Sequence, residues 1–234
     1  MSATAATSTA VDTNASAERP MPEPAIEPPF NSLAPPYTTI VADPPWRYDS
    51  DTEQDGITRS AVITRSVKRD GTLARGVRDH TYSRMSADEI TALPVRQLAA
   101  RNAHLYLWVT NAFISEAHTI ARAWGFKPKT VLTWVKVHQD DPCRVSMKTG
   151  YYFRGATEHA IFAVRGSLPL QTTDGQPTAY LWPRIGAHSI KPAAFGDLVE
   201  RCSPGPYVEL FARQPRLGWD SWGYGYETAV ADVG

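Results

Sequence analysis

Tyr37-Thr38-Thr39-Ile40-Val41-Ala42-Asp43-Pro44-Pro45-Trp46 is the stretch on which the fold of this chain turns. Its first half, with Ile40 and Val41 at the centre, suits a buried strand. Two consecutive prolines cannot extend a central strand, because each lacks the N–H that the ladder needs, so the chain leaves the sheet at Asp43. A carboxylate, a stiff turn and an aromatic ring then meet at the carboxyl end of a strand, where open α/β sheets bind ligands. Such a group suits a nucleobase amine: Asp43 and the Pro44 carbonyl accept its hydrogen bonds while its ring stacks on Trp46. Taken alone, the same four residues also read as a turn opened by Asp-Pro and an ordinary core tryptophan.

Composition narrows the class. At 234 residues the chain has room for one substantial domain. Lys plus Arg equals Asp plus Glu, 24 each, so any nucleic-acid surface must be local rather than a global field. The two cysteines, Cys143 and Cys202, form no Cys-x-x-Cys pair. Neither a disulfide framework nor a zinc site is indicated, no metal is expected, and a reducing cytoplasm is the simpler setting. No apolar stretch approaches the length of a membrane span. Residues 1–36 are rich in Ala, Ser, Thr and Pro, with seven prolines from Pro20 to Pro36, and read as a disordered tail. The domain is expected over residues 37–234, with an insertion at 47–84. Between Ile57 and Arg84 that insertion carries seven Lys or Arg against two Asp. It reads either as a solvated loop or as a nucleic-acid contact.

Beyond it the pattern alternates between helix and strand. Ser86-Ala87-Asp88-Glu89 is a capping box, and Pro94 breaks the helix it opens. Residues 104–110 and 130–137 read as strands flanking a helix that Asn111 caps, with Phe113, Ala117, Ile120, Ala121 and Trp124 on one face and Gly125 at its end. Strand, helix, strand with short joints is the unit of a parallel sheet. Residues 151–154 and 158–164 read as extended pieces about Gly155, and 166–178 as a loop. A helix with Pro192 as its first residue buries Phe195, Leu198, Val199 and Cys202, and residues 207–212 form a last strand.

Seven segments then resemble, in order, the MT-A70-like methyltransferases. They are Asp43-Pro44-Pro45-Trp46, Tyr82-Ser83-Arg84-Met85-Ser86, Leu105-Tyr106-Leu107-Trp108-Val109-Thr110, Thr133-Trp134-Val135-Lys136, His188-Ser189-Ile190-Lys191-Pro192, Glu209-Leu210-Phe211-Ala212-Arg213 and Gly218-Trp219-Asp220-Ser221-Trp222-Gly223. The resemblance implies an α/β Rossmann-like fold with circularly permuted motif order, S-adenosylmethionine as cofactor, and methylation of the exocyclic amine of adenine. No Gly-x-Gly-x-x-Gly loop competes with that reading.

The resemblance also assigns roles. Asp43, Pro44, Pro45 and Trp46 are the catalytic loop. Lys191 meets the cofactor's carboxylate, Glu209 its ribose, and Arg213 the ribose or the methionine end; Asp43 borders the cofactor as well. Tyr82 and Glu158 line the acceptor pocket, and Lys136 contacts the substrate backbone or covers the sheet edge. At position 224 this chain has Tyr where bacterial members carry Asn. The expected partner is nucleic acid, DNA ahead of RNA, with no membrane, and the protein is expected as a monomer or homodimer. An RNA methyltransferase and an inactive nucleic-acid-binding relative are the alternatives.

Overall fold

The computed structural model describes residues 30, 32–48, 84–147, 152–172, 174–184 and 190–223. The expected disordered tail (apart from Phe30 and residues 32–36), most of the basic insertion, Tyr82, His188, Ser189 and Tyr224 lie outside the described residues.

The elements run β1 Tyr37–Ala42, two short helices α1 Ala87–Thr91 and α2 Val95–Leu98, β2 Ala99–Val109, a 3-10 turn Asn111–Phe113, α3 Ile114–Ala123, β3 Lys127–Val137, β4 Thr157–Arg165, β5 Ala179–Pro183, α4 Ala193–Cys202, β6 Tyr207–Leu210 and β7 Trp219–Trp222. The seven strands form one sheet in the order β5-β3-β4-β2-β1-β6-β7. Strand β4 runs antiparallel to β2 and β3, and the other pairings are parallel. The chain thus enters at the middle of the sheet, builds outward to β5, and returns through α4 to lay β6 against the free side of β1. This is the permuted Rossmann-like order, with the Asp43 strand first and the Glu209 strand late.

Alternation along the strands splits the core in two. Ile40, Ala42, Leu105, Leu107 and Val109 point to the face covered by α3, where Ala117, Ile120, Ala121 and Trp124 pack. Val41, Tyr106 and Trp108 point to the other face, covered by Phe195, Leu198, Val199 and Cys202 of α4. Central parallel strands buried on both sides read as continuous apolar runs, which is why β1 and β2 were visible in the sequence.

Several expectations need correcting. The packed chain begins before Tyr37: Phe30 is fully buried against Trp222, ring centroids 4.9 Å apart, and Leu33 is buried beside it. Asn111 is not a helix cap; Thr110 takes that place without a side-chain bond, and the Asn111 carboxamide oxygen accepts from His159 Nε2 at 2.7 Å. Tyr152 and Phe153 form a bend and Arg154 is irregular, not a strand, with Tyr152 and Phe153 exposed. Pro192 is the N-cap of α4, so the helix starts at Ala193, one residue later than expected. The last strand stops at Leu210 because Phe211 takes a φ of 65°. The capping box at Ser86 forms as expected, with both reciprocal bonds present, and Gly125 ends α3 with a φ of 88°.

A buried polar knot ties the two halves together. His104 Nε2 donates to the Leu168 carbonyl at 2.9 Å. That tautomer leaves Nδ1 to accept from Ser203 Oγ at 2.7 Å, and Ser203 Oγ in turn accepts from Tyr106 Oη at 2.8 Å. Burial pushes the His104 imidazole below its ordinary range, in keeping with the neutral ring. Ser203→Ala removes the shared hydroxyl and orphans two buried groups, each worth about 1–3 kcal/mol. Urea unfolding is expected to show a loss of that order, and an unchanged midpoint would show that the knot contributes nothing.

Candidate active site

Asp43 is placed by backbone geometry. Its N–H donates to the Leu210 carbonyl at 3.2 Å, continuing the β1–β6 ladder one step past the strand. The two prolines then turn the chain, and Trp46 N–H closes onto the Pro44 carbonyl at 3.0 Å. A parallel bridge holds the loop on its far side: Met85 N–H donates to the Pro45 carbonyl at 2.8 Å, and Arg47 N–H to the Met85 carbonyl at 3.0 Å. The Pro44 carbonyl keeps a second lone pair for another donor.

Around Asp43 the charges alternate. Lys191 Nζ donates to Asp43 Oδ2 at 2.6 Å and lies 3.4 Å from Glu158 Oε2. Glu158 Oε1 accepts from Lys136 Nζ, both side chains being almost fully buried. The ammonium groups also ride over indole rings, Lys191 at 5.2 Å from the Trp108 centroid and Lys136 at 4.8 Å from Trp134. Lys191 precedes the N-terminus of α4, a poor place for a cation unless an anion offsets it; the Asp43 carboxylate is such an anion. Lys136 sits behind Glu158 and not at the cavity surface.

Two cavities meet at this chain. One, of about 210 Å³, is lined by Asp43, Pro44, Pro45, Trp46, Tyr48, Arg84, Thr110 and Glu158. The other, of about 370 Å³, lies between the ends of β1 and β6 and the start of α4, with Trp108, Phe195, Trp219, Phe211 and Glu209 on its walls. Asp43, Lys191 and Arg213 border both. The larger volume falls within the range of small-molecule and cofactor sites, about 300–1,000 Å³. Glu209 makes no side-chain hydrogen bond to another described residue, and burial, followed by the nearby Asp43 carboxylate, pushes its carboxyl up to about 7.

Three features of the larger cavity escape sequence reasoning. Phe211 holds a left-handed backbone, rare for a bulky residue and of order 1–2 kcal/mol unfavourable, between Glu209 and Arg213. Its ring is locked edge-on against Trp222, centroids 5.2 Å apart. Arg216 spans α4, donating to Glu200 Oε1 at 2.8 Å and Asp197 Oδ1 at 2.6 Å. It can lie there because Gly196 has no Cβ, which would stand 2.4 Å from the guanidinium. Glu200 also accepts from Trp219 Nε1 at 2.7 Å, which fixes the indole in the cavity wall.

Of the expected site residues, the structure brings together Asp43, Pro44, Pro45, Trp46, Glu158, Lys191, Glu209 and Arg213, with Lys136 one layer behind. Trp46 is more enclosed than its expected stacking role implies: it is 8% exposed, stacks on Phe113 at 5.1 Å, and its Nε1 donates to the Trp108 carbonyl at 3.1 Å.

Fold and site together define a Rossmann-like α/β domain with a smaller cavity and a cofactor-sized cavity joined at one carboxylate. The sequence profile of MT-A70 matches residues 37–225, and the chain belongs to the MT-A70 family. It is 29% identical over 189 residues to the type II methyltransferase M.MunI of Mycoplasma sp, covering 80% of this chain and 76% of that protein. It is also 29% identical over 205 residues to the human N(6)-adenine-specific methyltransferase METTL4, and 25% identical over 201 residues to the mouse protein of that name. In both comparisons with METTL4 the match covers 37% of the longer protein.

Proposed function

We propose that the chain is an S-adenosylmethionine-dependent methyltransferase that acts on the exocyclic amine of adenine in nucleic acid, with DNA as the polymer. The observation that carries this reading is the meeting of the two cavities at Asp43. The larger one fits the cofactor: Glu209 suits the two ribose hydroxyls, Lys191 and Arg213 suit its carboxylate, and the aromatic walls suit its base. When bound, S-adenosylmethionine supplies an electrophilic methyl group. DNA is preferred because the compact single-domain form resembles bacterial and phage members of the family, and the match covers 76% of M.MunI of Mycoplasma sp but 37% of METTL4.

The residues of the smaller cavity do the rest by positioning. The adenine amine is a weak nucleophile because its lone pair is delocalised into the ring. Asp43, held by Lys191 through Oδ2, offers Oδ1 to one N–H, and the Pro44 carbonyl offers its second lone pair to the other. Those two acceptors draw the nitrogen toward tetrahedral geometry and aim its lone pair at the neighbouring cavity. The Asp43 carboxylate then stabilises positive charge as it develops on nitrogen. Glu158 forms the opposite wall, oriented by Lys136. The resemblance assigns Tyr82, which lies outside the described residues, to the acceptor site as well. A base in a duplex has to be flipped out to reach this cavity, at a few kcal/mol. Cys143 and Cys202 are both free thiols, in keeping with a reducing cytoplasm, and among the described residues no helix is long and apolar enough to cross a membrane. The protein acts as a monomer or homodimer.

The test is methyl transfer from labelled S-adenosylmethionine to DNA and RNA side by side, followed by nucleoside analysis. Label in N6-methyldeoxyadenosine is expected. Label in N6-methyladenosine alone makes the enzyme an RNA methyltransferase, and binding of either polymer without transfer makes it an inactive relative.

Glu209 adds a pH dependence. Its ribose-accepting form is the carboxylate, whereas the free protein holds the proton up to about pH 7. Binding therefore releases a proton, and affinity for S-adenosylhomocysteine is expected to weaken from pH 8 to pH 5.5, by at most about tenfold per unit below 7. Calorimetry on Glu209→Gln should show weaker binding at pH 8 and a flat profile across the same range. A wild-type profile that is already flat would remove Glu209 from the cofactor site.

A further inference from the structure

The acceptor cavity needs an aromatic face, and the residue expected to provide it is largely sealed. One side of Trp46 is covered by Phe113, with the rings nearly parallel at 16°, and its only ring donor is spent on Trp108. At 8% exposure it belongs to the wall. Two residues further on, Tyr48 lines the same cavity and is 38% exposed. Two contacts with described residues help to fix its position. The hydroxyl shares a hydrogen bond with Thr110 Oγ1 at 2.8 Å, and the ring meets Phe113 edge-on at 4.9 Å and 62°. Phe113 is itself pinned by Trp46, so the Trp46–Phe113–Tyr48 series transmits the rigidity of the core to a ring that borders the cavity.

We propose that Tyr48, and not Trp46, is the platform on which the acceptor base stacks, Trp46 acting through Phe113 as a positioning residue. The proposal rests on the reading of the smaller cavity as the base site. A phenol clamped at its hydroxyl and against the Phe113 ring loses little further freedom when a flat ring settles on it. Stacking of this kind tolerates any base, while Asp43 and the Pro44 carbonyl read the amine.

The experiment uses a single-stranded oligonucleotide carrying 2-aminopurine, titrated with the full-length protein in the presence of S-adenosylhomocysteine. Stacking on a tyrosine quenches the fluorophore. The wild type is expected to quench it, Tyr48→Leu to lose most of the quenching, and Tyr48→Phe to restore it, because the phenyl face remains when the hydroxyl is gone. In methyl transfer, Tyr48→Leu should raise KM for the polymer about 10–100-fold with a smaller effect on kcat. Its affinity for S-adenosylhomocysteine should match the wild type. Wild-type quenching and KM in Tyr48→Leu would overturn the proposal, as would absence of quenching by the wild type itself. Quenching through Tyr48 without methyl transfer to adenine would uphold the platform and defeat the function proposed above.

Discussion

The Lys191 ammonium, bonded to Asp43 at 2.6 Å and 3.4 Å from Glu158, is the contact on which the site depends. Without it two carboxylates would face each other at the edge of a half-buried cavity, with Glu209 close enough to feel Asp43 as well. Like charges so placed disfavour one another's ionisation. Lys191 relieves one side of that repulsion and Lys136 the other, giving a line of alternating charges from the sheet interior to the Asp43–Trp46 loop. Buried pairs of this type contribute little net stability against apolar packing, yet breaking one costs several kcal/mol because a charge is left unpaired. The arrangement is therefore better understood as fixing where Asp43 points than as holding the domain together.

Topology makes the line possible. Strand β1 lies between β2 and β6, and the helices associated with them cover opposite faces of the sheet. That is a switch point, where the connections diverge and leave a crevice at the carboxyl ends of the strands. Register brings Val41 level with both Tyr106 and Glu209, so the Asp43 loop, the Trp108 end of β2 and the Glu209 end of β6 emerge together. Lys191 reaches the crevice from the residue before the α4 N-cap and Glu158 from β4, with Lys136 of β3 paired behind Glu158. Three strands and a helix start thus supply one charge line, and the two cavities lie on either side of it.

Much of this was legible in the sequence, and the limits have physical causes. Strands β1 and β2 show because they are buried on both faces, and α3 and α4 because each buries a single stripe. Strands β5 and β7 do not show, since Ala179–Pro183 is partly exposed and Trp219–Trp222 carries two polar residues among its four. The expected start at Tyr37 came from proline content, which hides a buried Phe30 behind a compositional signal. In the site, Asp43, Lys191 and Glu209 stand in short motifs and Glu158 comes from the family resemblance alone, but which carboxylate each lysine meets is a matter of three-dimensional register. Lys136 in particular looks like an edge residue until β3 is paired with β4 and Trp134 falls opposite Glu158. The enclosure of Trp46 is set by Phe113, 67 positions away in the chain and unconnected to it by any local pattern.

The central claim is that the charge of Asp43, held by Lys191, does the chemistry while the cofactor cavity stands on its own. Asp43→Asn keeps the size and a carbonyl acceptor and removes only the charge. Its methyl-transfer turnover at saturating substrates, set beside its affinity for S-adenosylhomocysteine on the same preparation, tests the claim most directly. A loss of about 100–1,000-fold in turnover with affinity within a few-fold of the wild type is the predicted result. Turnover close to the wild type would contradict it.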